Sequence, residues 1–77
     1  MENAQLHTVT LYKRQRQIIE FISQFIQRNG YSPTLREIGN ALGLSSLATV
    51  HEHIERLDKK GVLKKTDGNK TRGIIVI

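Results

Sequence analysis

The sequence contains no cysteine among its 77 residues, which excludes disulfide bonds, zinc–thiolate sites and cysteine nucleophiles. It has no apolar run near the roughly 20 residues that span a bilayer, and its first four residues lack the basic and then apolar layout of a signal peptide. Internal repeats, low-complexity segments and glycine-rich phosphate loops are also missing. The length allows one small domain with a modest core and no deep cleft. We therefore expect a small cytoplasmic domain.

Positive charge is concentrated at one end of the chain. Residues 1–55 carry five basic and five acidic side chains, whereas residues 56–77 carry seven basic and two acidic ones, which accounts for the whole net charge of +5. Such a segment suggests a polyanionic partner, either nucleic acid or an acidic membrane surface. The membrane is the weaker alternative, because the segment lacks an amphipathic helix with aromatic anchors. A solvated surface face is the other explanation of the charge alone.

Apolar residues with helical spacing predict a first helix over about residues 12–28. Their separations of three, four and seven residues place them on one face. Gly30 lies just past this face, where glycine can adopt a left-handed C-cap at little steric cost. Residues 1–10 precede the helix and are predicted to form a flexible N-terminal arm. The apolar positions are Leu11, Ile18, Ile19, Phe21, Ile22, Phe25 and Ile26.

The segment after Pro33 predicts a short second helix. Thr34 and Glu37 match a capping box, in which each side chain accepts a hydrogen bond from the other residue's amide. Gly43 ends the helix after about eight residues, and a helix this short must pack on its neighbours. Gly39 has no side chain and therefore allows a close crossing with the next helix.

A third helix begins after only a few residues. Ser46 or Ser45 can cap its start, and Gly61 ends it. Two helices joined by a short turn that contains glycine form a helix-turn-helix. The predicted buried face consists of Leu47, Val50, Ile54 and Leu57.

The pattern changes to β structure after Gly61. Residues 62–65 and 73–77 are short segments rich in β-branched residues, and the Asp67-Gly68 pair between them is a turn signal. We therefore predict a mainly α fold in which three helices precede a small β-hairpin. The domain is expected to cover residues 11–77.

The exposed face of the third helix has the layout of a DNA recognition helix. Small and hydrogen-bonding residues lie near its start, where close approach to base edges is needed, and cations lie near its end. Thr49 can offer a methyl group to thymine, and Glu52 can accept from a cytosine amino group. A solvated face is the alternative. The face consists of Ser45, Ala48, Thr49, Glu52, Arg56 and Lys59, with His51 and His53 on its flanks.

The predicted hairpin supplies cations for the phosphate backbone. Lys64, Lys65, Lys70 and Arg72 flank its turn and can lie along a phosphate backbone or a minor groove. The start of the second helix, near Thr34 and Arg36, adds a second anion site through its free amides and dipole. Protection of an edge strand is a compatible alternative for the two adjacent lysines.

Catalytic and metal-binding chemistry has little support. His51 and His53 are two residues apart on a helix and therefore point in different directions. His51 and Glu55 have a spacing at which they can share a metal, but no third ligand is evident. The serines at the start of the third helix have no partner suited to a nucleophile. We predict no cofactor, no metal and no enzyme activity.

Short motifs in a fixed order give the chain a family resemblance. From Leu11 to Ile77 it resembles the N-terminal DNA-binding domain of LexA, the SOS-response repressor. The matching residues are Arg14-Gln15, Gly30-Tyr31-Ser32-Pro33-Thr34, Glu37-Ile38, Leu42-Gly43-Leu44, Thr49-Val50-His51-Glu52-His53, Leu57, Lys60-Gly61 and Thr71-Arg72-Gly73-Ile74.

The resemblance implies a winged helix-turn-helix that represses DNA-damage genes from palindromic operators. The recognition helix would span about residues 46–60 and the wing about 62–77. A second copy would bind beside the first on bacterial nucleoid DNA in the cytoplasm. The positions that match the family's base-reading residues are Ser46, Ala48, Thr49, His51 and Glu52. The cations assigned to phosphate, with Thr34, are Arg36, Arg56, Lys59, Lys64, Lys65, Lys70 and Arg72.

Three departures from the family limit what can be transferred. The Thr-Val-His stretch resembles the Gram-positive branch, so a particular operator does not follow. Tyr12 stands where the family often has a capping Thr, for which Thr10 is the candidate substitute. The family continues through a linker into a Ser-Lys self-cleaving domain that also dimerises, and the sequence ends where this linker would begin. A protein-binding winged helix and a standalone or mobile-element regulator are the alternative functions.

Overall fold

The computed structural model describes residues 11–66 and 72–77, which form three helices and a two-stranded sheet. The helices are α1 (Lys13–Asn29), α2 (Leu35–Leu42) and α3 (Leu47–Lys59), and the strands are β1 (Leu63–Lys65) and β2 (Ile74–Val76). These bounds confirm the predicted mainly α fold with a small hairpin. The predicted N-terminal arm, the substitute cap Thr10, the Asp67-Gly68 turn and Lys70 lie outside the described residues.

The helix ends follow the capping signals in the sequence. Gly30 and Gly43 adopt left-handed conformations with φ of 79° and 71°, which end α1 and α2. At the start of α2, the Glu37 amide donates to Thr34 Oγ1 at 3.0 Å, and the Thr34 amide donates to Glu37 Oε1 at 2.9 Å. Ser46 is the residue that caps α3, since its Oγ accepts from the Thr49 amide at 3.3 Å.

The start of α1 is stabilised by Gln15. The Tyr12 amide donates to Gln15 Oε1 at 3.2 Å, so the glutamine supplies one half of a capping interaction. The same oxygen accepts from Lys60 Nζ at 2.8 Å, and this ammonium lies 4.7 Å from the centre of the Tyr12 ring. Gln15 is 3% exposed. This buried amide therefore joins the first turn of α1 to the end of α3.

One hydrophobic core is shared by the helices and the sheet. It consists of Ile18, Ile22, Ile38, Val50, Ile54, Leu57, Leu63 and Ile74. The prediction that Leu47 belongs to the buried face of α3 is wrong, because this side chain is 46% exposed. Gly39 of α2 lies against Val50, one turn further along α3, and Leu47 at the start of the helix is left partly exposed.

The crossing of α2 and α3 depends on Gly39. A Cβ atom at this position would lie 2.8 Å from the carbonyl oxygen of Leu44 and 3.3 Å from Cγ2 of Val50. The first contact is with backbone, which cannot rotate away as a side chain can. The prediction that this glycine allows a close crossing is confirmed.

The two strands pair antiparallel, with Leu63 opposite Val76, Lys64 opposite Ile75 and Lys65 opposite Ile74. Leu63 and Ile74 face the core, whereas Lys64 and Ile75 are exposed. Because side chains alternate along a strand, one face of this sheet packs on the helices and the other meets solvent. Among the helices of the described residues, none is long and apolar enough to cross a membrane.

Candidate nucleic-acid interface

The outer face of α3 carries all five residues predicted to read bases. Ser46, Ala48, Thr49, His51 and Glu52 are exposed, while Val50 and Ile54 on the opposite face are buried. Ser46 accepts the cap hydrogen bond through its Oγ, so its hydroxyl proton is still available for donation outward. The start of α3 therefore presents small and polar groups to solvent, beside the exposed Leu47.

Two of these side chains make contacts one turn further along the same helix. His51 Nε2 lies 3.3 Å from Glu55 Oε2, and Glu52 Oε2 lies 3.5 Å from Arg56 Nη2. Exposed side-chain pairs at this spacing contribute little to stability. Contacts to DNA can replace them at small cost. His51 and Glu55 are in contact, but the described residues hold no group of three or more potential metal ligands.

Lys65 pairs with helix α3. Its Nζ donates to Glu55 Oε2, which links strand β1 to the helix. This ammonium is the main reason why the pKa of Glu55 lies below its ordinary value of 4.5, and His51 contributes less. The lysine predicted to contact phosphate therefore has an internal carboxylate partner.

Arg72 is held by three groups of the helical part of the domain. Its Nη1 and Nη2 donate to the two carboxylate oxygens of Glu37 at 2.9 and 3.0 Å. Nη1 also donates to the carbonyl oxygen of Ser32 at 3.0 Å, and the guanidinium carbon lies 4.7 Å from the centre of the Tyr31 ring. The guanidinium holds the pKa of Glu37 below its ordinary value, with the Thr34 amide as the second cause. In turn the carboxylate raises the pKa of Arg72.

Three other predicted phosphate contacts are exposed and make no ion pair within residues 11–66 and 72–77. These residues are Arg36 on the first turn of α2, Lys59 at the end of α3 and Lys64 on the outer face of β1. Thr34 is partly exposed, and its hydroxyl is used by the α2 cap. The cations predicted from the sequence thus divide into an unpaired group and a group that carboxylates hold.

Comparison of the sequence with known proteins identifies its family. The family profile described as LexA DNA binding domain matches residues 8–73. The chain belongs to the LexA DNA-binding domain family. The resemblance inferred from its motifs is confirmed, and its three helices and two-stranded sheet are consistent with the winged helix-turn-helix of this domain.

Individual relatives match at about half of the aligned positions. The LexA repressor of Koribacter versatilis (strain Ellin345) is 49% identical over 69 residues, which are 90% of this chain and 32% of that protein. The LexA repressor of Geobacillus thermodenitrificans (strain NG80-2) is 49% identical over 67 residues, covering 87% and 32%. That of Syntrophomonas wolfei is 51% identical over 65 residues, covering 84% and 31%. The chain spans about a third of the length of these LexA relatives.

Sequence reasoning missed the acidic partners in this LexA-family domain. Glu37 was predicted only as a helix cap and Glu55 only as half of a metal pair, yet each holds a wing cation. Ser32 was predicted only as part of an extended connector, yet its carbonyl oxygen accepts from Arg72 and its hydroxyl accepts from the Ile74 amide at 3.2 Å. These contacts join residues far apart in the chain, which helical spacing cannot reveal.

Proposed function

We propose that this domain binds double-stranded DNA in a sequence-specific manner, as part of a transcriptional repressor of DNA-damage genes. The observation that carries the proposal is the exposed start of α3, where the five matched base-reading positions lie together on a helix packed from behind. Its activity would be binding alone, with no catalytic step. The names of the relatives, which are LexA repressors, support the repressor and SOS role.

Base reading would follow from the groups on α3. Ala48 allows the helix to approach the major groove, and Thr49 offers a methyl group for thymine or a hydroxyl for either partner of a base pair. Glu52 would exchange its weak pairing with Arg56 for the amino group of a cytosine. Ser46 and His51 would donate hydrogen bonds from the two sides of this surface.

Phosphate binding would rely first on the unpaired cations. Arg36, Lys59 and Lys64 are exposed on three different elements and need no internal contact to be broken. The first turn of α2 adds main-chain amides, because the cap satisfies those of Thr34 and Glu37 and leaves two between them. Arg56, Lys65 and Arg72 would contact phosphate with the hydrogens that their carboxylate partners leave free. Lys70 completes the predicted set.

One domain would read one half of a palindromic operator, and a second copy would occupy the other half. Such an arrangement is usual for helix-turn-helix proteins, whose two-fold symmetry matches that of the operator. In the resembled family, dimerisation resides mainly in a different domain. The 77-residue chain is therefore expected to bind a single half-site weakly and paired half-sites more tightly.

Selection of bound sites from random duplex DNA tests the proposal. We expect an enriched sequence that contains two inverted half-sites. With four to six phosphate contacts, a plot of log Kd against log salt concentration should have a slope of about 4 to 5. A protein with Glu52→Ala and Thr49→Ala substitutions should still bind DNA but lose the enrichment. Failure to enrich any sequence, together with a salt dependence near zero, contradicts the proposal.

Protein binding remains the second candidate function, because the domain has an apolar groove. The groove, of about 460 Å³, lies between the end of α1 and strand β2 and is lined in part by Ile26, Tyr31 and Ile75. On α3 itself the exposed large apolar residue among those described is Leu47, which is too small a patch for a partner. If the random-DNA selection fails, this groove is the surface to test for protein binding.

A further inference from the structure

The Arg72 side chain is anchored more firmly than a simple surface cation. A guanidinium has five N–H donors, and three of them are used by Glu37 and the Ser32 carbonyl. The Nε hydrogen and one Nη2 hydrogen are left for a ligand. The fork of two parallel hydrogen bonds fixes the plane of the guanidinium, as a single contact would not. Its remaining donors therefore have a defined direction.

The strand that follows Arg72 is attached at the same place. Ser32 is 4% exposed, and its hydroxyl accepts from the Ile74 amide while its carbonyl accepts from Arg72. Tyr31 packs under the guanidinium and makes a T-shaped contact with Phe25, whose ring centre is 5.8 Å away. The start of β2 and the connector between α1 and α2 thus form one contiguous contact.

Glu37 links this contact to helix α2. Its Oε1 accepts from the Thr34 amide, which forms the cap of α2, and from Arg72 Nη1. One carboxylate therefore organises the first turn of α2, where a phosphate is proposed to bind, and the beginning of the second wing strand. A negative charge here is unfavourable beside DNA unless it has another role.

We propose that Glu37 is a positioning residue for DNA binding, whose carboxylate sets the wing against the start of α2 by holding the Arg72 guanidinium. The inference rests on the proposed function and deepens it. A duplex that crosses both elements meets phosphate-binding groups at a fixed separation. Without the carboxylate the wing keeps its charges and its contacts with Ser32, but the Arg72 guanidinium loses the fork that fixes its orientation relative to α2.

The experiment compares two single substitutions that each remove one negative charge but are expected to have different effects on DNA affinity. Glu37→Gln retains the capping function, since Gln also serves at this position of a capping box, but loses the charged fork to Arg72. Glu20→Gln removes the same charge from an exposed position of α1 that makes no ion pair in the described part of the chain. Binding of the 77-residue chain and its variants to a duplex selected from random DNA is followed by fluorescence anisotropy at several salt concentrations.

We expect Glu20→Gln to bind DNA as the unmodified chain does or slightly more tightly, because the substitution only removes a negative charge. Glu37→Gln should bind DNA about fivefold to tenfold more weakly, although it removes the same negative charge. For this variant, the slope of log Kd against log salt concentration should fall by about one, as expected when one phosphate contact is lost. Circular dichroism melts identify any variant whose helices are lost, and a smaller folded fraction would lower the active concentration without changing the salt dependence.

A second variant makes the result independent of the α2 cap. Arg72→Lys keeps the charge but cannot form the planar fork, so it should weaken binding to a similar extent. The double variant with Glu37→Gln should bind little worse than either single variant, because both remove the same interaction. If Glu37→Gln binds as tightly as Glu20→Gln while the unmodified chain binds DNA, the positioning role is overturned. If the unmodified chain binds no duplex, the proposed function fails and the inference fails with it.

Discussion

The start of α3 and the wing differ in how their side chains are held. On α3, the exposed side chains at Ala48 and Thr49 are short, and His51 and Glu52 pair with residues of their own helix. In the wing, Lys65 pairs with α3 and Arg72 pairs with α2. A surface that reads bases needs groups that can exchange partners quickly. A two-stranded hairpin of three-residue strands is only marginally stable alone and needs attachment to the rest of the domain.

This difference changes how many cations of the basic segment are available to bind DNA. The count of seven cations in residues 56–77 overstates the charge available to DNA, because carboxylates already hold Arg56, Lys65 and Arg72. The three predicted phosphate contacts that make no ion pair in the described part of the chain instead come from three elements, one of which, α2, lies in the part of the sequence that is balanced in charge. The positive charge proposed to bind DNA is thus spread over the helix-turn-helix as well as the wing.

Removal of the wing's apolar anchor should have the largest effect on stability. Leu63 is 1% exposed and belongs to the core, so Leu63→Ala should lower the free energy of unfolding by about 3 kcal/mol. Ile75→Ala on the outer face of the sheet, where the side chain is 50% exposed, should change it by less than about 1 kcal/mol. Urea unfolding followed by circular dichroism measures both. Equal losses would show that the wing is not attached through its inner face.

Loss of a side chain that is proposed to read bases should change specificity more than affinity. Glu52→Ala removes an acceptor from α3, and the preference for cytosine at one position should fall by about 1–3 kcal/mol. Lys64→Ala should weaken binding to all sequences alike. The measurement is competition between a selected site and its single-base variants. The division between α3 and the wing is wrong if both substitutions change the same base preference.

Neighbouring lysines of the wing should differ in their contribution to DNA binding. Lys64 makes no ion pair in the described part of the chain, so Lys64→Gln should reduce the salt dependence of log Kd by about one. Lys65→Gln also releases Glu55, and its effect should be smaller because the lysine charge is partly neutralised in the free protein. Titrations of each variant with the selected duplex at several salt concentrations provide the comparison. A larger effect for Lys65 would mean that its pairing with Glu55 is given up on binding.

Local signals in the sequence were sufficient for most of the fold. The capping box at Thr34 and the glycines after α1 and α2 act within a few residues, so their geometry follows from the sequence alone. The prediction that Leu47 is buried was wrong because periodicity describes one helix and says nothing of where a second helix crosses it. The pairing of Arg72 with Glu37 joins positions 35 residues apart, and only the packed fold brings them together.

Acid should weaken the attachment of the wing to α2 and α3 more than it weakens helix α3 itself. The pKa values of Glu37 and Glu55 are lowered in the folded protein, chiefly by Arg72 and Lys65 respectively. A lowered carboxyl pKa stabilises the fold above its ordinary value of 4.5, and this contribution is lost as the pH falls through the folded value. Stability should therefore decrease as the pH falls below the ordinary carboxyl value of 4.5, and Glu37→Gln should lose less in acid because the residue no longer titrates. Urea midpoints at half-unit pH intervals, with Glu20→Gln as the matched control, measure the difference. If Glu37→Gln and Glu20→Gln lose stability in parallel, the pairing of Arg72 with Glu37 contributes nothing to folding, and the wing is held by its other contacts, which include its apolar face, Ser32 and the Lys65–Glu55 pair.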